Sequence, residues 1–172
     1  LGVGANTAVF SFINAVLLRP LPVHEPGELV GLYRKIPEDP SYNRVSYPNY
    51  LDLRDRNKVF TDMMAYVLTP LSLSAGGETE RIMGKVATAN YFSVLGVSMA
   101  LGRGFSGDED RVPGASPVAV VSHGLWQRRL GSDPSLLGRA VNINGQPFTI
   151  VGVAPQEFQG TEVGQVPDVW VP

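Results

Sequence analysis

The first charged residue in this chain is Arg19. Residues 1–18 carry apolar, small or uncharged polar side chains, and as a helix rising about 1.5 Å per residue they would reach about 27 Å, close to a bilayer's hydrocarbon thickness. The polar and small members are not scattered. Gly4, Thr7, Ser11 and Asn14 recur at helical spacing and share one face, while Val3, Val9, Phe10, Phe12, Ile13, Val16, Leu17 and Leu18 supply most of the rest. A small, polar stripe of this kind is how membrane helices pack against one another, so these four residues form the expected helix-packing face. Arg19-Pro20-Leu21-Pro22 then stops the helix, because proline lacks an N–H and disfavours helical geometry in the residue before it. No charged leader segment precedes the run and no small-x-small cleavage site follows it, so residues 1–22 read as the C-terminal part of a transmembrane helix, not as a signal peptide. A single flanking arginine does not set its orientation. The chain opens on Leu1 instead of Met, as a piece of a longer protein would. The competing reading is a buried helix in a soluble interaction module.

Beyond Pro22 the apolar runs become short and alternate with turn signals, as in a mixed α/β domain. The sequence predicts a strand at Leu29 to Arg34, a proline loop around Pro37 and Pro40, and a helix capped by Ser46 with Pro48 in its first turn. Tyr47, Tyr50, Leu51 and Arg54 would line one face, and Val59, Phe60, Met63 and Met64 would continue a helical stripe into the core. Leu71 and Leu73 alternate with serines as in a half-buried strand; Gly76-Gly77 turns the chain, and Arg81 to Ala89 returns. Asn90 is placed to cap a short helix over Tyr91 to Leu95, closed by Gly96. Val118 to Val121 reads as a strand buried on both faces, followed by a helix capped by Ser122, with Arg128 and Arg129 in its last turn. Asn144-Gly145 between two alternating runs is the type I′ hairpin signature. Its register sets Ile143 opposite Gln146, Val141 opposite Phe148 and Arg139 opposite Ile150, with Val141, Ile143, Phe148 and Ile150 on the buried face. Pro147 lacks the N–H an outer neighbour would need, so the second strand should be unpaired there.

Composition excludes several chemistries. With 14 Lys+Arg against 16 Asp+Glu the net charge is −2, and dispersed basic residues give no nucleic-acid surface. The absence of cysteine removes disulfides, thiolate nucleophiles and Cys-ligated zinc. Gly102 to Gly107 fits G-x-G-x-x-G, but Asp108, Glu109 and Asp110 follow at once and would repel a pyrophosphate. Those carboxylates lack the alternation of a calcium loop and read as a solvated turn. His24 and His123 lie far apart, no G-x-S-x-G elbow accompanies them, and no P-loop occurs. No catalytic, cofactor-binding or metal-binding residue is therefore assigned. A membrane-anchored hydrolase using His123 is the enzymatic alternative.

Three ordered segments carry a family resemblance: Gly2 to Phe10 (GVGANTAVF) leading into Asn14 to Pro22; Asn90 to Val97 (NYFSVLGV) followed by Gly102 to Phe105; and Val118 to Ser122, Leu125 to Arg129, Gly138-Arg139, Ile143 to Gly145 and Phe148 to Pro155 (FTIVGVAP). Together they resemble the MacB-like periplasmic core domain of bacterial ABC transporter permeases, closest to the acidobacterial type with duplicated halves. The resemblance implies an α+β fold: residues 1–22 as the end of the first transmembrane helix, a porter-like α/β subdomain at 23–110, and an inserted lobe at 111–172 that would continue beyond Pro172. It implies a place on the periplasmic side of the inner membrane and a non-catalytic role in export or efflux. The implied partners are the permease's other transmembrane helices, the membrane itself and a cytoplasmic ABC ATPase, whose motion the domain would pass on mechanically.

Overall fold

The structure is a computed structural model that describes residues 21–36, 39–112, 114–162 and 164–172. The expected membrane helix, with Gly4, Thr7, Ser11 and Asn14, lies outside the described residues except for Leu21 and Pro22. No helix among the described residues is long and apolar enough to cross a membrane.

Among the described residues nine strands and three α-helices follow one another. A small antiparallel hairpin joins β1 (Arg34–Ile36) and β2 (Asp39–Asn43). Helix α1 (Tyr47–Asp55) comes next, then the long hairpin β3 (Tyr66–Ala75) and β4 (Glu78–Ala87), paired along its whole length. Helix α2 (Tyr91–Val94) leads to β5 (Leu101–Gly102), and β6 (Val118–Val121) runs into α3 (His123–Arg129). The second hairpin is β7 (Ala140–Ile143) and β8 (Gln146–Val153), and β9 is Val169–Val171.

Seven of these strands form one sheet in the order β5-β8-β6-β9-β4-β3-β7, and β7 also pairs with β8. The sheet therefore closes into a six-stranded barrel, with β5 added beside β8. Pairing is mixed: β4 with β9 and β6 with β8 are parallel, the other pairs antiparallel. Strands from both sides of the expected boundary at residues 110 and 111 share this sheet. Closure rests on a short seam, Leu73 opposite Ile143 and Ser74 opposite Asn142. Asn144 extends it: its N–H donates to the Ser72 carbonyl at 2.8 Å and its side-chain oxygen accepts from the Ser72 N–H at 2.8 Å.

The hairpin register matches the sequence expectation for Val141, Asn142 and Ile143. Asn144 and Gly145 both take positive φ, 51° and 83°, as a type I′ turn requires. Arg139 joins Ile150 by one hydrogen bond, Ile150 N–H to Arg139 O at 2.9 Å, not as a ladder pair. Beyond the Pro147 position, pairing of β8 with β6 starts at Thr149, so the proline sits where no neighbour needs its amide.

Strand alternation builds two cores. Leu71, Leu73, Ile82, Ala119, Val121, Val141, Ile143, Ile150, Val169 and Val171 fill the barrel, closed by Leu125 of α3 and by Leu136. Ala87, Val120 and Trp170 point the other way, where Tyr91, Phe92 and Leu95 cover them together with Ala154 and Phe158. Gly84 belongs to the barrel interior: a Cβ there would drive into the Leu71 side chain. Helix α3 begins as expected, with Ser122 Oγ accepting from the Leu125 N–H at 3.0 Å.

Several sequence expectations fail: the Ser46 and Asn90 side chains make no cap hydrogen bond, and Pro40 lies in β2 instead of a loop. Residues 29–33 form no strand; extended pairing starts only at Arg34, and Val30 and Tyr33 are 62% and 63% exposed. The 59–64 stripe is not helical. Asn57 Oδ1 accepts from both the Val59 and Phe60 amides, and Asp62 Oδ1 from the Met63 amide, so side chains divert the backbone from helical bonding. Of the expected α1 stripe Tyr50 is buried, its hydroxyl donating to Met63 O at 3.0 Å, while Tyr47 lies half exposed.

Two substitutions test this fold by urea unfolding. Ile143→Ala, in the seam and 2% exposed, should lose about 2–5 kcal/mol. Asn144→Ala removes the Ser72 clamp and should lose about 1 kcal/mol; an unchanged midpoint would show that the seam does not need it.

Candidate functional site

On the outer face of β4 the alternation that sends Ile82 and Gly84 inward sends Lys85 outward. An outward lysine is ordinarily solvated. Here α2 and the segment after β8 cover that face, and Lys85 is 0% exposed. Its ammonium lies 3.2 Å from Glu162 Oε2, donates to Thr161 Oγ1 at 3.3 Å and to the Tyr91 hydroxyl at 3.5 Å, and sits 4.1 Å from the centre of the Tyr66 ring. The cation therefore has one carboxylate, two hydroxyls and an aromatic face in place of water. Lys85 pairs across the sheet with Trp170, which stands among Phe92 and Phe158, each with ring centres 5.7 Å away.

Burial lowers the Lys85 pKa, and Glu162 pulls it partly back. Burial raises the Tyr66 hydroxyl and pushes Tyr91 up to about 12, against weaker hydrogen-bond effects from Thr161. Both tyrosines are thus neutral partners of the cation at ordinary pH. The amine has no open side from which a substrate could reach it. Its geometry is that of a buried tie between β4 and residues 161–162.

The other candidates raised by sequence find partners of their own. The Ser122 hydroxyl is used as the α3 cap, and Asp168 holds Arg128 and the Met83 amide. His123 rests edge-on against Trp126, ring centres 5.3 Å apart, and no Ser–His–carboxylate hydrogen-bond chain forms among the described residues. The acidic turn is knitted into the fold. Asp110 accepts from the Ala89 amide at 2.8 Å, and Asp108 meets Arg111 at 2.8 Å. Glu109 takes Arg103 in a two-pronged pair at 2.7 and 3.1 Å and the Ser106 amide at 2.7 Å. Burial would raise the Glu109 carboxyl, but those hydrogen bonds outweigh it and hold it below its ordinary value. No group of three metal-ligating side chains occurs among the described residues. A groove of about 600 Å³ opens at one barrel mouth, but its arginines are already paired, Arg129 with Glu78 and Glu80 and Arg139 with Asp133.

Sequence reasoning missed Lys85, Glu162 and Tyr66. The available signal was weak: a lysine on the same strand face as Ala87, beside a chain rich in aromatics further on.

The described residues thus form a closed mixed sheet whose outer face is covered by a second, aromatic core. The model of the MacB-like periplasmic core domain matches residues 1–172, and the chain belongs to that family. It is 29% identical over 83 residues to the probable syringafactin export ATP-binding/permease protein SyfD of Pseudomonas syringae, covering 48% of this chain and 12% of that protein. It is 32% identical over 82 residues to a probable export ATP-binding/permease protein of Pseudomonas fluorescens, covering 48% of this chain and 12% of that one. This chain thus matches only a small part of either relative. The crystal structure of the periplasmic region of MacB from Actinobacillus actinomycetemcomitans shares the fold, with a TM-score of 0.59 at 17% identity over 75% of this chain and 55% of that one.

Lys85 gives a pH prediction. Its folded pKa is lowered, so between that value and the ordinary lysine value near 10.4 the unfolded chain holds a proton the folded chain has released, and stability rises with pH. Tyr91 acts oppositely: above about pH 10 the folded chain keeps a proton the unfolded one loses, and stability falls. Urea unfolding from neutral pH toward 10 should therefore show a rise in wild type that Lys85→Met lacks. Parallel profiles would contradict the assignment.

Proposed function

We propose that this domain is the extracytoplasmic part of an export permease of the ABC type, lying on the periplasmic side of the inner membrane, and that it transmits motion without doing chemistry. The observation that carries this reading is how the chain enters the fold. Residues just past the uncharged 1–18 run are fastened to the core at once: the His24 N–H donates to Leu95 O at 2.9 Å, and Val23 and Leu29 pack on the outer core around Tyr91, Phe92 and Trp170. A chain that packs on the core within two residues of Pro22 enters stiffly, and rigid-body transmission needs packed elements more than a pocket. The names of the relatives pair export with ATP binding, which supports a cytoplasmic ATPase as the source of that motion. In this reading Gly4, Thr7, Ser11 and Asn14 face the permease's other membrane helices.

This domain has no cysteine, so a single Lys58→Cys on its exposed surface, in a full-length protein with any cysteines outside the domain replaced by serine, reports sidedness. In the full-length protein, a membrane-impermeant maleimide should label it in cells whose outer membrane alone is permeabilised. Labelling that appears only after the inner membrane is broken would place the domain in the cytoplasm and overturn the proposal. In the transporter assembled with its ATPase, permease carrying Lys85→Met should leave the ATPase rate within about twofold of wild type in the absence of substrate, because a residue that does no chemistry leaves the chemical barrier alone.

A further inference from the structure

Residues 155–162 leave β8 and cross the outer core, yet among the described residues their backbone is scarcely bonded to what they cover. The ladder of backbone bonds ends at Ala154, whose N–H donates to Val121 O at 2.9 Å, and resumes at Asp168, whose N–H donates to Met83 O at 2.6 Å. Among the described residues the backbone bonds of this segment are local, Phe158 N–H to Pro155 O at 3.0 Å and Gln165 N–H to Glu162 O at 3.4 Å. Side chains do the holding. Phe158 is 2% exposed among Tyr91, Phe92 and Trp170, and Thr161 and Glu162 meet Lys85. The backbone at Gly160 lies so close that a Cβ there would stand 3.6 Å from the Lys85 ammonium. Lys85 belongs to the rigid β4, whereas Glu162 is 37% exposed at its side chain.

We infer that residues 155–162 are a strap that opens as a unit, with the Lys85–Glu162 pair as its latch and the Phe92–Trp170 surface as what it uncovers. The asymmetry of the pair makes this work. Closing the strap dehydrates the lysine, which is tolerable only while a carboxylate faces it. Opening returns both charges to water and exposes an aromatic surface that the barrel itself does not need for closure. Proline at 155 limits the backbone at the point where the strap leaves the sheet. Segments held by few backbone bonds open at lower free energy than the sheet beneath them.

Amide hydrogen exchange in the full-length protein tests the latch. In wild type, the buried, bonded Phe158 amide should exchange at urea concentrations that leave Val120 and Val153 protected. Glu162→Gln strands the buried cation, and should speed exchange at Phe158 by about tenfold or more, with Val120 and Val153 unchanged. Lys85→Met combined with Glu162→Gln removes the stranded charge and should restore wild-type protection at Phe158. The inference fails if the Phe158 and sheet amides exchange together in wild type, if Glu162→Gln leaves Phe158 unaltered, or if the double variant stays open. Should Glu162→Gln not fold, the wild-type urea series decides alone.

Discussion

A two-pair seam between β3 and β7 closes this molecule. Without Leu73–Ile143 and Ser74–Asn142, strands β3 and β7 would be free edges and the apolar interior would face water between them. Asn144 strengthens the seam in an economical way. The residue that gives the hairpin its left-handed turn also lends its side-chain oxygen to Ser72, standing in for the carbonyl that a longer β7 would have offered. Turn chemistry and barrel closure are thus one feature.

Closure leaves the outer surface of the sheet to be covered separately. Val120, Trp170 and Ala87 are buried by α2, by Phe158 and by the entering segment at Val23 and Leu29. The same cover traps Lys85. A lysine on that face would be unremarkable if α2 and residues 155–162 lay elsewhere, so the buried cation is a consequence of layer packing and not of local sequence. This outer core is also where Val23 and Leu29 pack.

The legible parts of the sequence were those decided by neighbours along the chain. Asn144-Gly145, the Ser122 cap, the Leu71/Leu73 alternation and the wholly buried Val118–Val121 run each rest on local rules, and each stands in the structure. The illegible parts depend on residues far away. Strand β9 is three residues long, too short for periodicity, and exists because β4 and β6 leave a slot for it. Residues 29–33 have strand-like composition but form no strand, and the 59–64 stripe yields to Asn57 and Asp62. The Lys85 tie needs residues 66, 91, 161 and 162 brought together, and no local pattern announces that.

Because β9 lies between β4 and β6, and both of its neighbours precede it by dozens of residues, the order of assembly is constrained. The β3–β4 hairpin can form as soon as it is made, but β4 has no partner on its far side until residues 169–171 arrive. Ring formation is therefore a late, long-range event of the kind that slows folding. A chain threading this domain out of a translocation channel would carry a half-built sheet, with β4 and β6 unzipped, until β9 emerged.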